Sequence, residues 1–144
     1  MLVRAGVEHP DGATGPRVLA ACPDSPERGD PWRWSVSRVG PEDRWSVSVE
    51  TAPEHVTAHH DVVETARDLR LERSPGEQIV VVGTEGRHLV RDATGPWHRW
   101  LERGDVFVVE GEEPEALVLR GEEGSRASVV RLAPTGALPL RWVP

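Results

Sequence analysis

The pentapeptide Arg-Trp-Ser-Val-Ser occurs twice, at Arg33 to Ser37 and at Arg44 to Ser48, on either side of Arg38-Val39-Gly40-Pro41-Glu42-Asp43. In each copy apolar and polar residues alternate, so Trp34 and Val36, then Trp45, Val47 and Val49, share one side of a pleated sheet. Two such runs around a Gly-Pro turn read as a β-hairpin. Short alternating runs recur along the chain between turn residues, and this rhythm predicts a small all-β fold.

The size and composition narrow the class. A chain of 144 residues falls in the usual range of one domain, so 1–144 is expected to form a single domain with one core. The 14 glycines and 13 prolines cut the chain too often for long helices. All 17 basic residues are arginine, against 24 acidic ones, and the net charge of -7 argues against nucleic acid or an anionic membrane as partner. The single Cys22 cannot form an internal disulfide and has no second thiolate for a zinc site. No apolar run reaches the roughly 20 residues of a membrane span, and Met1 to Arg17 lacks the apolar centre of a signal peptide. A soluble, cytoplasmic protein is the expectation.

Strands are predicted at Leu2 to Val7 and Arg17 to Ala21, with Cys22 to Pro31 as an exposed loop. From Glu54 to Glu64 the alternation sets Val56, Ala58, His60 and Val62 on one face and His55, Thr57, His59 and Asp61 on the other. Asp68 to Arg73 is expected to continue that sheet. Gln78-Ile79-Val80-Val81-Val82 is apolar on both faces, the pattern of a central strand buried between two layers. A reversal at Gly83-Thr84-Glu85-Gly86 is expected to close a hairpin from Gln78 to Leu89. A last hairpin is expected between Ala116 to Arg120 and Ala127 to Leu132. Strands at this spacing fit a sandwich or barrel.

The run from Gly104-Asp105 through Val106-Phe107-Val108-Val109 to Gly111-Glu112-Glu113-Pro114 resembles a strand of a cupin barrel, in which a Gly-Asp turn leads into an apolar strand ended by Gly or Pro. Together with Leu2-Val3-Arg4-Ala5, Asp30 to Val39 and Gln78 to Leu89, the order is similar to the HutD/Ves family of cupin-like proteins. The family's Gly-rich turn is represented only by Asp11-Gly12-Ala13-Thr14-Gly15, so the resemblance is to a divergent or shortened member. It implies a jelly-roll barrel of mostly antiparallel short strands, a homodimer, and binding of a small metabolite with a regulatory role around histidine utilisation.

Cupins often hold a metal through two closely spaced histidines, a downstream Glu and a later His. The nearest approach here is His59-His60 with Glu64 and the distant His98, and Glu115 follows Pro114 where a last His would stand. Adjacent strand residues face opposite ways, and His55 and His59 would lie roughly 13 Å apart at about 3.3 Å per residue. No metal and no cofactor are therefore expected. His60, sharing its face with Val56, Ala58 and Val62, is the candidate acid or base lining an apolar pocket, or else it satisfies a buried carbonyl.

Trp34 and Trp45 are core residues or stacking surfaces, and Arg33 and Arg44 either clamp a carboxylate or are solvated. In Trp97-His98-Arg99-Trp100 the two rings fall on opposite faces, so that at least one is exposed or lines a cavity mouth. No nucleophile elbow or phosphate-binding loop is present. These patterns lead to metal-independent binding of a small polar or carboxylated metabolite inside the barrel, with Arg33, Trp34, Arg44, Trp45, His59, His98 and Trp100 as ligand-binding residues. The alternative is a small cofactor-free isomerase or cyclase using His60.

Overall fold

The structure, a computed structural model, describes Leu2–Arg4 (β1), Arg17–Ala21 (β2), Trp32–Val39 (β3), Arg44–Thr51 (β4) and the continuous stretch 56–135. Side chains are described for that stretch and for Val47 and Val49. The stretch contains Val56–Glu64 (β5), Leu69–Arg73 (β6), Gln78–Glu85 (β7), His88–Asp92 (β8), His98–Leu101 (β9), Asp105–Val109 (β10), Glu115–Gly121 (β11) and Arg126–Pro134 (β12). Every described strand pairing is antiparallel. Among the described residues no helix is long and apolar enough to cross a membrane.

The barrel is one long hairpin, rolled up. Its tip is the loop between β8 and β9, which pair directly; moving outward, β7 pairs with β10, β6 with β11 and β5 with β12. Rolling the ribbon adds two further pairings, β12 with β7 and β11 with β8. Two facing sheets result, of order β1-β10-β7-β12-β5 and β6-β11-β8-β9. This winding is a jelly roll, the double-stranded β-helix expected of a cupin-like barrel.

Three local expectations change. β11 and β12 lie in different sheets, as do β7 and β8, so neither pair is a hairpin, and β6 joins the sheet facing β5 instead of extending it. Gly86 and Gly124, at φ of 74° and 79°, do reverse the chain. A glycine in the left-handed region fixes the reversal, but only packing decides whether the next strand pairs with the last or crosses to the facing sheet.

Between the sheets the barrel is filled. Leu71, Ile79, Val81, Val90, Leu101, Phe107, Val109, Leu117, Leu119, Ala127 and Val129 form one buried cluster, with Val63, Leu69 and Trp97 packed against it. The outer face of the larger sheet is buried as well: Val80, Val82, Val106, Val108, Val130 and Leu132 are fully covered. This double burial explains why β7, at the centre of that sheet, reads as apolar on both faces.

The repeated pentapeptide forms the expected hairpin. β3 and β4 pair in a register that sets Trp34 opposite Val49, Val36 opposite Val47, Arg33 opposite Glu50 and Arg44 opposite Val39. With β2 they make a separate three-stranded sheet, and β4, which carries the buried Val47, approaches β5 and β7.

Candidate functional site

The two ends of the β8–β9 ribbon differ in chemistry. At one end His88 is fully buried opposite Leu101. Its Nδ1 lies 3.0 Å from the Thr65 hydroxyl, which is also 3.2 Å from the Ser125 carbonyl. The single hydroxyl hydrogen can serve only one of them, so the Thr65 rotor and the ring tautomer are coupled. Backbone bonds from Thr65 to Ser125 (3.1 Å) and from Gly121 to the Thr65 carbonyl (2.6 Å) tie the end of β5 to the β11–β12 turn. Side chains at Gly83 and Gly121 would run into this knot: a Cβ at Gly83 would sit 2.7 Å from the Glu102 carbonyl, and one at Gly121 2.7 Å from the Ser125 Cβ. Nε2 of His88 has no hydrogen-bond partner. Burial pushes the ring's pKa below its usual 6.5, opposed by the carbonyls of Glu85 and Arg126.

The other end opens into a cleft of about 380 Å³ lined by Trp97, Arg99, Phe107, Val108, Val109, Glu110 and Glu115. The loop at the ribbon's tip positions Trp97. Asp92 accepts from the Thr94 backbone N–H (2.8 Å) and hydroxyl (3.2 Å), and its own N–H donates to the Trp97 carbonyl at 3.2 Å. The N–H groups of Thr94 and then Gly95 hold the Asp92 carboxyl below the usual range, with a smaller contribution from the Trp97 side chain. The indole then packs on Phe107, with centroids 5.7 Å apart at a tilt of 38°.

Arg99 follows from strand parity. It pairs with Val90, a core residue, and so shares the barrel face with it and with Leu101. Its guanidinium donates to the His98 carbonyl at 2.8 Å, and among the described residues it has no carboxylate partner. Of the two carboxylates lining the cleft, Glu110 accepts from Gln78 Nε2 at 3.0 Å, and Glu115 lies 3.9 Å from the buried guanidinium of Arg73. Arg73 braces the rim by donating to the carbonyls of Ser74, Glu77, Gly111 and Glu113, which joins the β6–β7 turn to the β10–β11 turn. Among the described residues this donor set does not suit a divalent metal, because the two carboxylates share the cleft with the Arg99 guanidinium, Arg73 pairs with Glu115, and no described histidine lines it.

Most residues singled out from sequence lie elsewhere. Val63 packs on the core and pairs with Ala127, so the barrel-facing parity of β5 is Thr57, His59, Asp61 and Val63. His60 therefore sits on the outer face, opposite Val130, and is exposed, so the expected apolar pocket around it is not formed. His59 is exposed too and pairs with Asp61 at 2.9 Å. Trp97 and Trp100 do take opposite faces as expected. Trp100 is 45% exposed under the Arg87 guanidinium, 4.2 Å from its ring centroid, and with His98 it lines a second groove of about 280 Å³ that shares Trp97 with the cleft. The ligand-binding expectation for Arg33, Trp34, Arg44 and Trp45 concerns side chains outside the described residues.

Arg99, Phe107, Glu110, Glu115 and His88 were not picked out as site residues. For Arg99 the signal was present, since counting back by two from the apolar Leu101 puts Arg99 and Trp97 on one face. For His88 it was absent: His88 and Val90 alternate with Leu89 and Arg91, and neither face is clearly apolar.

No family model matches the chain, and no curated protein matches it. Among solved structures it is similar to PA5104, a conserved protein of unknown function from Pseudomonas aeruginosa PAO1, with 11% identity over 81% of this chain and 90% of that one and a TM-score of 0.62. It also matches an RmlC-like cupin family protein with a double-stranded β-helix fold from Methanocaldococcus jannaschii, at 10% identity over 88% and 86% of the two chains and a TM-score of 0.40. A de novo designed double-stranded β-helix matches at 15% identity over 54% of this chain and 97% of the design, with a TM-score of 0.40. The strand order and the likeness to the Pseudomonas protein establish the fold class, an all-β, cupin-like barrel.

Proposed function

We propose that the protein binds a small carboxylated metabolite at the mouth of its barrel, without a metal and without chemistry of its own. The observation that carries this reading is Arg99, a guanidinium on the wall of an aromatic-floored cleft with no carboxylate partner among the described residues. Arg binds a carboxylate through two parallel N–H donors, and the Trp97–Phe107 pair supplies an apolar surface beside it. The packed barrel centre supports a ligand at the mouth in place of one deep inside. The volume lies at the small end of the roughly 300–1,000 Å³ range of ligand pockets.

The narrower assignment, a HutD/Ves-like regulatory binding protein acting as a cytoplasmic homodimer, belongs to the same proposal. Native mass spectrometry tests the dimer. The acid–base alternative draws no support from the position of His60, exposed and remote from the core face.

Isothermal titration calorimetry with phenylalanine and phenylpropionate, two carboxylates carrying an aromatic ring, tests the proposal. At least one binds, and Arg99→Gln weakens it by about tenfold or more, roughly 1.4 kcal/mol. Binding of neither, or binding indifferent to Arg99→Gln, contradicts it.

A further inference from the structure

Among the described strands the two barrel sheets end in four edges, and β5 is unlike the other three. β1, β6 and β9 have three, five and four residues, whereas β5 runs for nine, from Val56 to Glu64. It pairs with β12 in an unbroken register over its whole length, and no described strand pairs with its other side. It contains no proline and no bulge, the devices that commonly blunt such an edge, so its outward N–H and C=O groups form a straight row open to a further strand. We infer that this further strand is β5 of a second copy, paired antiparallel about a two-fold axis at His60, so that the two larger sheets become one. This rests on the homodimer in the reading above and names its interface; it is independent of the ligand.

The residues of β5 select both the partner and the register. With the axis at His60, His59 lies opposite the partner's Asp61, and Asp61 opposite the partner's His59, on the barrel-facing side. Within each chain these two residues already stand 2.9 Å apart, so imidazoles and carboxylates alternate across the axis. On the outer side Ala58 lies opposite the partner's Val62, which gives that side chain, 64% exposed, an apolar neighbour. Neighbouring registers lose these matches. An axis at Asp61 sets its carboxylate against its own copy, and an axis at His59 leaves Asp61 opposite the partner's Thr57.

The edge also stands clear of the facing sheet. β6 reaches β12, whose Arg131 donates to the Glu72 carbonyl at 2.6 Å, while Thr57, His59 and Asp61, on the barrel-facing parity of β5, are exposed. A second barrel can therefore come alongside β5 without meeting β6.

Sedimentation equilibrium on the intact chain is expected to show a dimer, with its Kd raised about tenfold or more in Val62→Lys, since a lysine on an edge strand opposes pairing. Circular dichroism checks that the exposed substitution leaves the fold unchanged. Cysteine trapping in a Cys22→Ser background tests the register. His60→Cys places two thiols directly opposite each other, about 4.5–5.5 Å apart between Cα atoms, within reach of a disulfide. Ala58→Cys places them four residues out of step, roughly 13 Å apart and out of reach. Mild oxidation should therefore cross-link the first variant and not the second. A chain that is monomeric throughout overturns the homodimer and this interface together. A dimer whose Kd is unmoved by Val62→Lys, or one trapped no better through His60→Cys than through Ala58→Cys, overturns the β5 interface and leaves the homodimer standing.

Discussion

The β8–β9 ribbon joins two regions whose polar groups are put to opposite uses. At the His88 end an imidazole, a threonine hydroxyl and a serine carbonyl are turned toward one another and sealed beneath glycines that leave no room for a side chain. At the Trp97 end a guanidinium, two carboxylates and two aromatic rings surround open space. The polar groups of the first region are largely spent on holding β5, β8 and the β11–β12 turn together. In the second, Arg73 braces the rim through backbone carbonyls and Arg99 has no carboxylate partner among the described residues. Polar residues at a barrel end thus mark a site only where the surrounding backbone keeps its distance.

The largest effect is expected from the packed centre between the two regions. Leu117→Ala should lower stability by about 2–5 kcal/mol, the usual cost of a cavity in a filled core, with affinity at the mouth unchanged. A denaturant titration measures it, and a cost below about 1 kcal/mol would mean that the barrel centre is loosely filled. Next comes Gly121→Ala, whose new methyl group would press on Thr65, Ser125 and His88. A loss of about 1–3 kcal/mol is expected, again with affinity unchanged, so a loss of binding without a loss of stability would erase the contrast between the ends.

His88 sharpens the contrast through pH. Because burial depresses its pKa in the folded protein, the unfolded chain takes up a proton more readily than the folded one. This contribution to stability is complete above the ordinary value of 6.5 and is lost as pH falls through that value toward the folded one. The melting temperature should therefore decline on acidification more steeply in the native protein than in His88→Gln, and parallel curves would refute a buried, neutral His88. The smallest effect belongs to His60→Ala, expected to change stability by less than about 0.5 kcal/mol and leave affinity as it was.

Features with a period of two were legible in the sequence. The pairing of the repeated pentapeptides, the central place of Gln78 to Val82 and the opposed faces of Trp97 and Trp100 all follow from alternation anchored by buried neighbours. Which strands pair was not legible, because β7 and β8 are joined by a turn of the same chemistry as a true hairpin while their partners lie across the ribbon's tip. The facing of β5 misled for a related reason. Val56, Ala58, His60 and Val62 do share a face, but it is the outer face of the larger sheet, exposed from Ala58 to Val62, so an apolar face does not identify the barrel interior. Val63, packed on the core, fixes the other parity. The site itself draws Arg99, Phe107, Glu110 and Glu115 from three strands and their ends, a juxtaposition that only the rolled ribbon creates.

The measurement that tests the central claim most directly is a two-dimensional amide and indole NMR titration of the labelled protein with phenylalanine. Shifts clustered at the Trp97 indole, Arg99, Phe107, Val109 and Glu115, with His88 and Leu117 unmoved, are the predicted result. Shifts centred on His59 and His60, or on Leu117 and Ala127 within the barrel, would contradict a ligand site at the mouth.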